Sequence, residues 1–194
     1  MLEALTRLVE LGGPVVVALL SLSVVGAATI FYKLLQLRRY GARYFRQLAA
    51  QVARAPAEVA ADDAIGELVA FALAEREAGR AGDALEAEVV RRANLLLSGL
   101  SRYLRLVELI AYISPLLGLL GTVLGMIDAF RGLEVDVNQA DAGVLAGGIW
   151  EALLTTAVGL GVAIPMTAAH ALLEGRVQRI GEQLQDLLER ALSP

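Results

Sequence analysis

Apolar and charged positions in this chain fall into blocks. Leu11 to Tyr32 carries no charge between Glu10 and Lys33, Leu109 to Ile127 none between Glu108 and Asp128, and Ala152 to Leu173 none between Glu151 and Glu174. About 20 apolar residues in a helix cross a hydrocarbon core roughly 30 Å thick. The pattern therefore predicts three transmembrane helices, about 12–32, 108–130 and 144–173. The third is drawn longer than its central run because Ala142 to Trp150 is also uncharged, which places Glu151 inside the membrane. A carboxylate at that depth is a functional candidate by default.

Outside these runs the spacing is that of amphipathic helices. Leu2, Leu5, Leu8 (or Val9) and Leu11 recur at helical spacing and suit a short helix lying on the membrane surface. Residues Gln51 to Asp63, interrupted by Pro56, read as a turn between helices. Ile65, Leu68, Val69, Ala72 and Leu73 then form one apolar stripe. After a break at Gly79 to Gly82, Leu85, Val89, Ala93, Leu96, Leu100, Tyr103 and Val107 form a longer one, expected to run directly into the second span. Leu173, Val177, Ile180, Leu184, Leu187 and Ala191 continue the third span on one face. Such stripes must be covered. Either the helices pack on one another within a chain, or several subunits share the bundle.

Charge sets the orientation. Of the 17 Lys and Arg, 12 lie between Lys33 and Arg105 and 3 in the tail, with only Arg7 and Arg131 on the opposite side. The cluster Lys33, Arg38, Arg39, Arg43 and Arg46 is the strongest cytoplasmic retention signal. Segments 33–107 and 174–194 are therefore expected in the cytoplasm, and 1–11 and 131–143 outside. The leader sets Arg7 against Glu3 and Glu10, unlike the positive leader of a signal peptide, so the first run reads as a retained anchor. A 57% hydrophobic content with mean hydropathy +0.60 argues against a soluble domain, although 20% of residues are charged. The absence of cysteine and the presence of one histidine exclude thiol chemistry and histidine-rich metal sites. No G-x-S-x-G or H-E-x-x-H pattern supports an enzyme.

The spans carry small-residue faces. Pro115, Gly118, Thr122, Gly125 and Ala129 share one face of the second span; Gly148, Ala152, Thr156, Gly159 and Ala163 share one face of the third. Small residues at such spacing let backbones approach closely in lipid. Gly118, Gly121, Gly125, Gly148, Gly159 and Pro165 are read as helix-packing positions, with Pro165 also able to kink its helix. A threonine does not titrate near neutral pH, so any proton relay here needs a carboxylate. Glu151 is the one near the middle of a span; it lies four residues before Thr155, on the same face, and about 140° around the helix from Thr156. His170 and Trp150 read more simply as interfacial or packing residues.

The stretch Ser114 to Phe130, SPLLGLLGTVLGMIDAF, with Gly147 to Pro165, GGIWEALLTTAVGLGVAIP, resembles the ExbB, TolQ and MotA proton-channel family, most closely its ExbB and then its TolQ branch. The resemblance implies an all-α inner-membrane protein whose second and third spans extend into long cytoplasmic helices. It also implies a single domain over 1–194 and a homopentamer. The pentamer would surround the transmembrane helices of a single-span partner of the ExbD or TolR type, whose membrane aspartate carries the proton. The threonines that face that aspartate in the family match Thr122 and Thr156, and its membrane glutamate matches Glu151; Thr155 is grouped with them as a proton-pathway candidate.

The resemblance further implies protons as the transported ion, no cofactor, and a TonB-like or TolA-like protein as the recipient of the motion. The function expected is ExbB-like energisation of outer-membrane transport, with TolQ-like envelope maintenance and a non-conducting scaffold as the alternatives. Trp150 and Thr155 stand where ExbB and TolQ usually carry alanine, and Leu124 where an aromatic is common. Flagellar rotation fits poorly, since MotA-type stators have a fourth span.

Overall fold

The computed structural model describes residues 2–56, 59, 61–80, 82–135 and 142–192; the side chains of 2–12, 133–135, 142 and 144 are outside that description. Six helices follow in order: α1 Leu2–Arg38, α2 Ala42–Arg54, α3 Ala64–Glu77, α4 Asp83–Ser101, α5 Leu104–Val135 and α6 Ala142–Leu192. Among the described residues there is no strand, as the all-α expectation requires. Among the described residues three stretches are long and apolar enough to cross a membrane, Gly13–Arg54, Leu104–Gly132 and Leu145–Leu192. By contacts the chain divides into two compact units.

The first unit comprises Met1–Phe31 and Arg105–Ala171. Inside α1 the backbone breaks at Gly13, whose φ of 55° is left-handed, immediately before Pro14. Glycine adopts that conformation without a Cβ penalty, and proline is preset for the first turn of the helix that follows. The expected surface stripe of Leu2, Leu5, Leu8 and Leu11 is helical in backbone, but its side chains lie outside the described residues. Part of the expected outer loop, 136–141, also lies outside them. Val107, Ile110, Val162 and Met166 form a buried cluster against which Leu22 and Ile30 of α1 pack. Large apolar side chains such as Val24, Phe31, Tyr112, Leu116 and Ile164 are exposed. That distribution suits a unit whose outer surface meets lipid.

The second unit comprises Tyr32–Leu104 and Leu172–Pro194. Two of the three cytoplasmic stripes read from spacing are buried as written; of the third, Val89, Leu100 and Val107 are buried and Tyr103 is exposed. Ile65, Leu68, Val69, Ala72 and Leu73 are all core, as are Leu173, Val177, Ile180, Leu184, Leu187 and Ala191. They are covered within a single chain. Asp63 caps α3 by accepting from the backbone N–H groups of Ile65 and Gly66 at 3.0 Å, and Tyr44 Oη donates to the same carboxylate at 2.7 Å. At the other end of α3, Arg76 donates to the Ala191 carbonyl in the last turn of α6 at 2.9 Å. The break at Gly79 to Gly82 stands where spacing placed it, with φ of 72° at Gly79 and 121° at Gly82.

The stripe from Leu85 to Val107 is not one continuous helix, contrary to expectation. It divides at Arg102, with ψ of 140°, and Tyr103, with φ of 71°. A left-handed tyrosine costs roughly 1–2 kcal/mol, and Lys33 supplies a compensating contact. Its Nζ donates to the Leu100 carbonyl at 2.9 Å and to Gln36 Oε1 at 2.8 Å, and lies 5.8 Å from the ring centroids of both Tyr32 and Tyr103. The ammonium thus takes a carbonyl left open where α4 ends, an arrangement that favours a cation. Lys33 is only 1% exposed. In the sequence it reads as one more retention charge; in the fold it is a buried joint.

Candidate functional site

The two small-residue faces meet each other. Within the first unit α5 and α6 pack along a seam in which Gly118 faces Thr155, Thr156 and Gly159, Gly125 faces Ala152, and Ala129 faces Gly148. A Cβ placed on Gly159 would stand 2.6 Å from the Ser114 carbonyl oxygen and 3.1 Å from Gly118 Cα. One on Gly118 would lie 3.0 Å from both the Thr155 carbonyl oxygen and Thr156 Cα. The obstacles are backbone and have no rotamer by which to yield. Gly121, off the main stripe, is covered by the Thr155 side chain, whose Oγ1 would be 2.5 Å from an added Cβ.

This closeness fixes the threonines. Thr156 Oγ1 donates across the seam to the Gly118 carbonyl at 3.0 Å. Thr155 Oγ1 lies 2.7 Å from the Ala152 carbonyl and 3.1 Å from that of Gly118. A hydroxyl has one proton; the shorter contact keeps that of Thr155 on its own helix and leaves the Gly118 carbonyl chiefly to Thr156. Thr122 Oγ1 donates to the Leu119 carbonyl at 2.6 Å, within its own helix. Thr122 also lines a shallow hollow along α5 with Val123, Met126, Ile127, Phe130 and Arg131. All three hydroxyl protons are therefore committed to backbone carbonyls, which leaves the three oxygens as acceptors.

Of the positions expected to matter, the structure brings together Gly118, Gly121, Gly125, Gly148, Gly159, Thr155 and Thr156. Glu151 is partly buried on α6, and the Thr155 hydroxyl is bonded to carbonyls rather than to it. Pro165 is exposed on α6, away from the seam, and Trp150 is 64% exposed. Sequence reasoning passed over Ser114. It is fully buried, its hydroxyl donates to Ile110 at 2.6 Å, and its carbonyl is the nearest backbone to Gly159. Its spacing of four from Gly118 was the available signal. Gly26 of α1 was missed as well; it gives room for Met166. Among the described residues no group of three or more His, Asp or Glu is placed to hold a metal ion.

A seam of bare backbone and small side chains between two apolar helices is built for close approach. Residues 57–186, which contain the whole seam, match the MotA/TolQ/ExbB proton channel family. The chain belongs to that family. Its similarity extends to Biopolymer transport protein exbB1 of Vibrio cholerae, 46% identical over 85 residues, which is 44% of this chain and 37% of that protein. Tol-Pal system protein TolQ of Pseudomonas aeruginosa is 42% identical over 84 residues, 40% of this chain and 36% of that protein. A putative biopolymer transport protein, an ExbB homolog of Methanothermobacter thermautotrophicus, is 40% identical over 81 residues, 42% of this chain and 28% of that protein. The matched stretch thus covers between 28% and 37% of these relatives. The resemblance carried by the Ser114 to Phe130 and Gly147 to Pro165 motifs is borne out, and the family is one of proton channels.

Proposed function

We propose that this chain is the ExbB-like subunit of a proton-driven motor in the bacterial inner membrane. Five copies enclose the transmembrane helices of an ExbD-like partner, and the proton motive force energises a TonB-like protein for outer-membrane transport. The observation that carries this reading is the hydrogen bond from Thr156 Oγ1 to the Gly118 carbonyl. With its proton engaged, Thr156 accepts from a neutral carboxyl group and has nothing to donate to an ionised one. Thr122, with its proton on Leu119, has the same bias. A partner aspartate is thereby welcomed protonated. On losing its proton it either leaves the threonine or draws the hydroxyl off Gly118.

Among the described residues no carboxylate is bonded to Thr155 or Thr156, which supports a carboxyl group brought in by the partner. In this reading Thr122, Thr156 and Thr155 border the proton pathway, Glu151 bridges to a neighbouring copy, and no cofactor takes part. The lysine and arginine distribution supports an outside N-terminus, with 33–107 and 174–194 in the cytoplasm as extensions of the second and third spans.

A TolQ-like role in the Tol-Pal system is the second reading, favoured by 42% identity to the Pseudomonas aeruginosa protein. A passive scaffold is the third, since the small faces already serve packing within one chain. Co-expression with a one-span ExbD-like protein tests the motor. The expected result is a complex with several copies of this chain and proton-driven transport that Thr156→Val abolishes without dispersing the complex. A monomer in mild detergent, with and without the partner, overturns it. An ExbD-like gene beside a TonB-like one separates uptake from envelope maintenance.

A further inference from the structure

In the second unit a cavity of about 370 Å³ opens between the end of α1, the start of α2 and α6. Arg38, Arg176 and Arg179 line it with Tyr40 and Gln183, over a floor that includes Leu37 and Ile180; no carboxylate lines it. Among the described residues none of these three arginines has an ion pair or hydrogen bond. Arg76, Arg80, Arg91, Arg92 and Arg190 of the same unit are each engaged; Arg43 and Arg54 are also unengaged but line no part of this cavity. Three unpaired guanidinium groups around one cavity repel one another, so the arrangement calls for an anion. The start of α2 adds to this. Gly41 provides no side-chain cap and the first turn has no acidic residue, so the positive end of that helix also borders the cavity.

The position along the chain selects the anion. The first uncharged run ends at Tyr32 and the third at Leu173. At about 1.5 Å per residue, Arg176 lies roughly 5 Å beyond the third run, and Arg38 and Arg179 roughly 9 Å beyond their runs. The headgroup layer of a bilayer is about 5–8 Å deep on each side, and arginine reaches several ångströms from its backbone. The guanidinium groups therefore stand at the level of lipid phosphates, and arginine binds phosphate through paired donors. We propose that this cavity is a binding site for the phosphate headgroup of an anionic phospholipid. The site requires only that the apolar helices span a bilayer, and stands whichever motor branch the chain serves.

The test uses the full chain purified in mild detergent, with bound lipid counted by native mass spectrometry. Phosphatidylglycerol is expected to be retained, and phosphatidylcholine with the same acyl chains to bind at least about tenfold more weakly. The triple variant R38Q/R176Q/R179Q should weaken phosphatidylglycerol binding by at least about tenfold, and Arg179→Gln alone by about threefold. R43Q/R46Q/R54Q, the same loss of charge on α2, should change it less than about threefold. Helicity and melting temperature of each variant verify folding, and Arg179→Gln carries the test if the triple variant does not fold. Equal weakening by both triple variants, or equal binding of the two lipids, overturns the site. Binding of sn-glycerol 3-phosphate as tight as that of the lipid overturns the membrane source in favour of a soluble phosphate ligand. Altered copy number with unchanged lipid retention overturns it in favour of a contact between chains.

Discussion

Thr156 and Gly118, 38 residues apart in sequence, are joined by a hydroxyl-to-carbonyl hydrogen bond of 3.0 Å. The bond exists because residue 118 has no side chain: a Cβ there would meet Thr156 Cα at 3.0 Å and hold the helices apart. Packing and candidate chemistry are thus the same contact. The small faces bring the backbones together, and the closeness decides where the threonine proton goes.

Glycine substitutions along α6 should separate by position. Gly159→Ala drives its methyl into the Ser114 carbonyl at 2.6 Å and is expected to destabilise by about 1–3 kcal/mol. Gly161→Ala meets nothing within 4 Å and should be neutral or slightly stabilising. Thermal melting of the two purified variants in one detergent decides this; equal melting temperatures contradict the seam.

Removing hydroxyl groups should split stability from transport. Thr156→Val loses a bond between helices and should cost about 0.5–1.5 kcal/mol, whereas Thr122→Val loses only a bond within α5 and should melt near the parent. Both are expected to abolish proton-driven transport with the ExbD-like partner. Transport surviving both substitutions supports the scaffold.

Lys33→Met should loosen the joint between α4 and α5. The Leu100 carbonyl loses its donor, and Tyr103 keeps its left-handed backbone without the ammonium beside its ring. Amide exchange across residues 99–106 should accelerate by about tenfold or more while α3 stays protected, a local opening rather than global loss. Unchanged protection there removes Lys33 from the account.

Glu151→Gln keeps shape and deletes charge at a partly buried position of α6. If that carboxylate is matched by a group from a neighbouring copy, the assembly should dissociate at lower detergent or temperature stress than the parent, by about 1–3 kcal/mol per contact. Unaltered assembly and transport make Glu151 incidental.

The α4 ion pairs offer a pH test. Hydrogen bonds from Arg91 and Arg92 pull the Glu88 carboxyl down to about 2. A depressed carboxylate contributes fully above its unfolded value of about 4.3 and loses that contribution as pH falls through about 2. Glu88→Gln should therefore lower the melting temperature slightly at pH 7 and progressively less as the pH falls toward 2. The effect should shrink in high salt, since the pairs are solvent-exposed.

Much of this molecule was legible from spacing alone. Three uncharged runs predicted three apolar helices, because a bilayer demands a fixed length of unbroken apolar helix. The stripes Ile65 to Leu73 and Leu173 to Ala191 predicted two buried faces, because apolar residues three and four apart share one side of a helix. Gly118 and Gly159 announced close approach, since only missing side chains permit it.

Spacing could not say what would fill those faces. That the two small stripes are each other's partners, that Thr156 spends its proton on Gly118, and that Lys33 is drawn inside to hold Leu100 and Tyr103 were decided by the tertiary structure. Helical periodicity records which residues share a side of one helix. The partner of a hydroxyl or an ammonium depends on distances between helices, and those are set only when the backbones have packed.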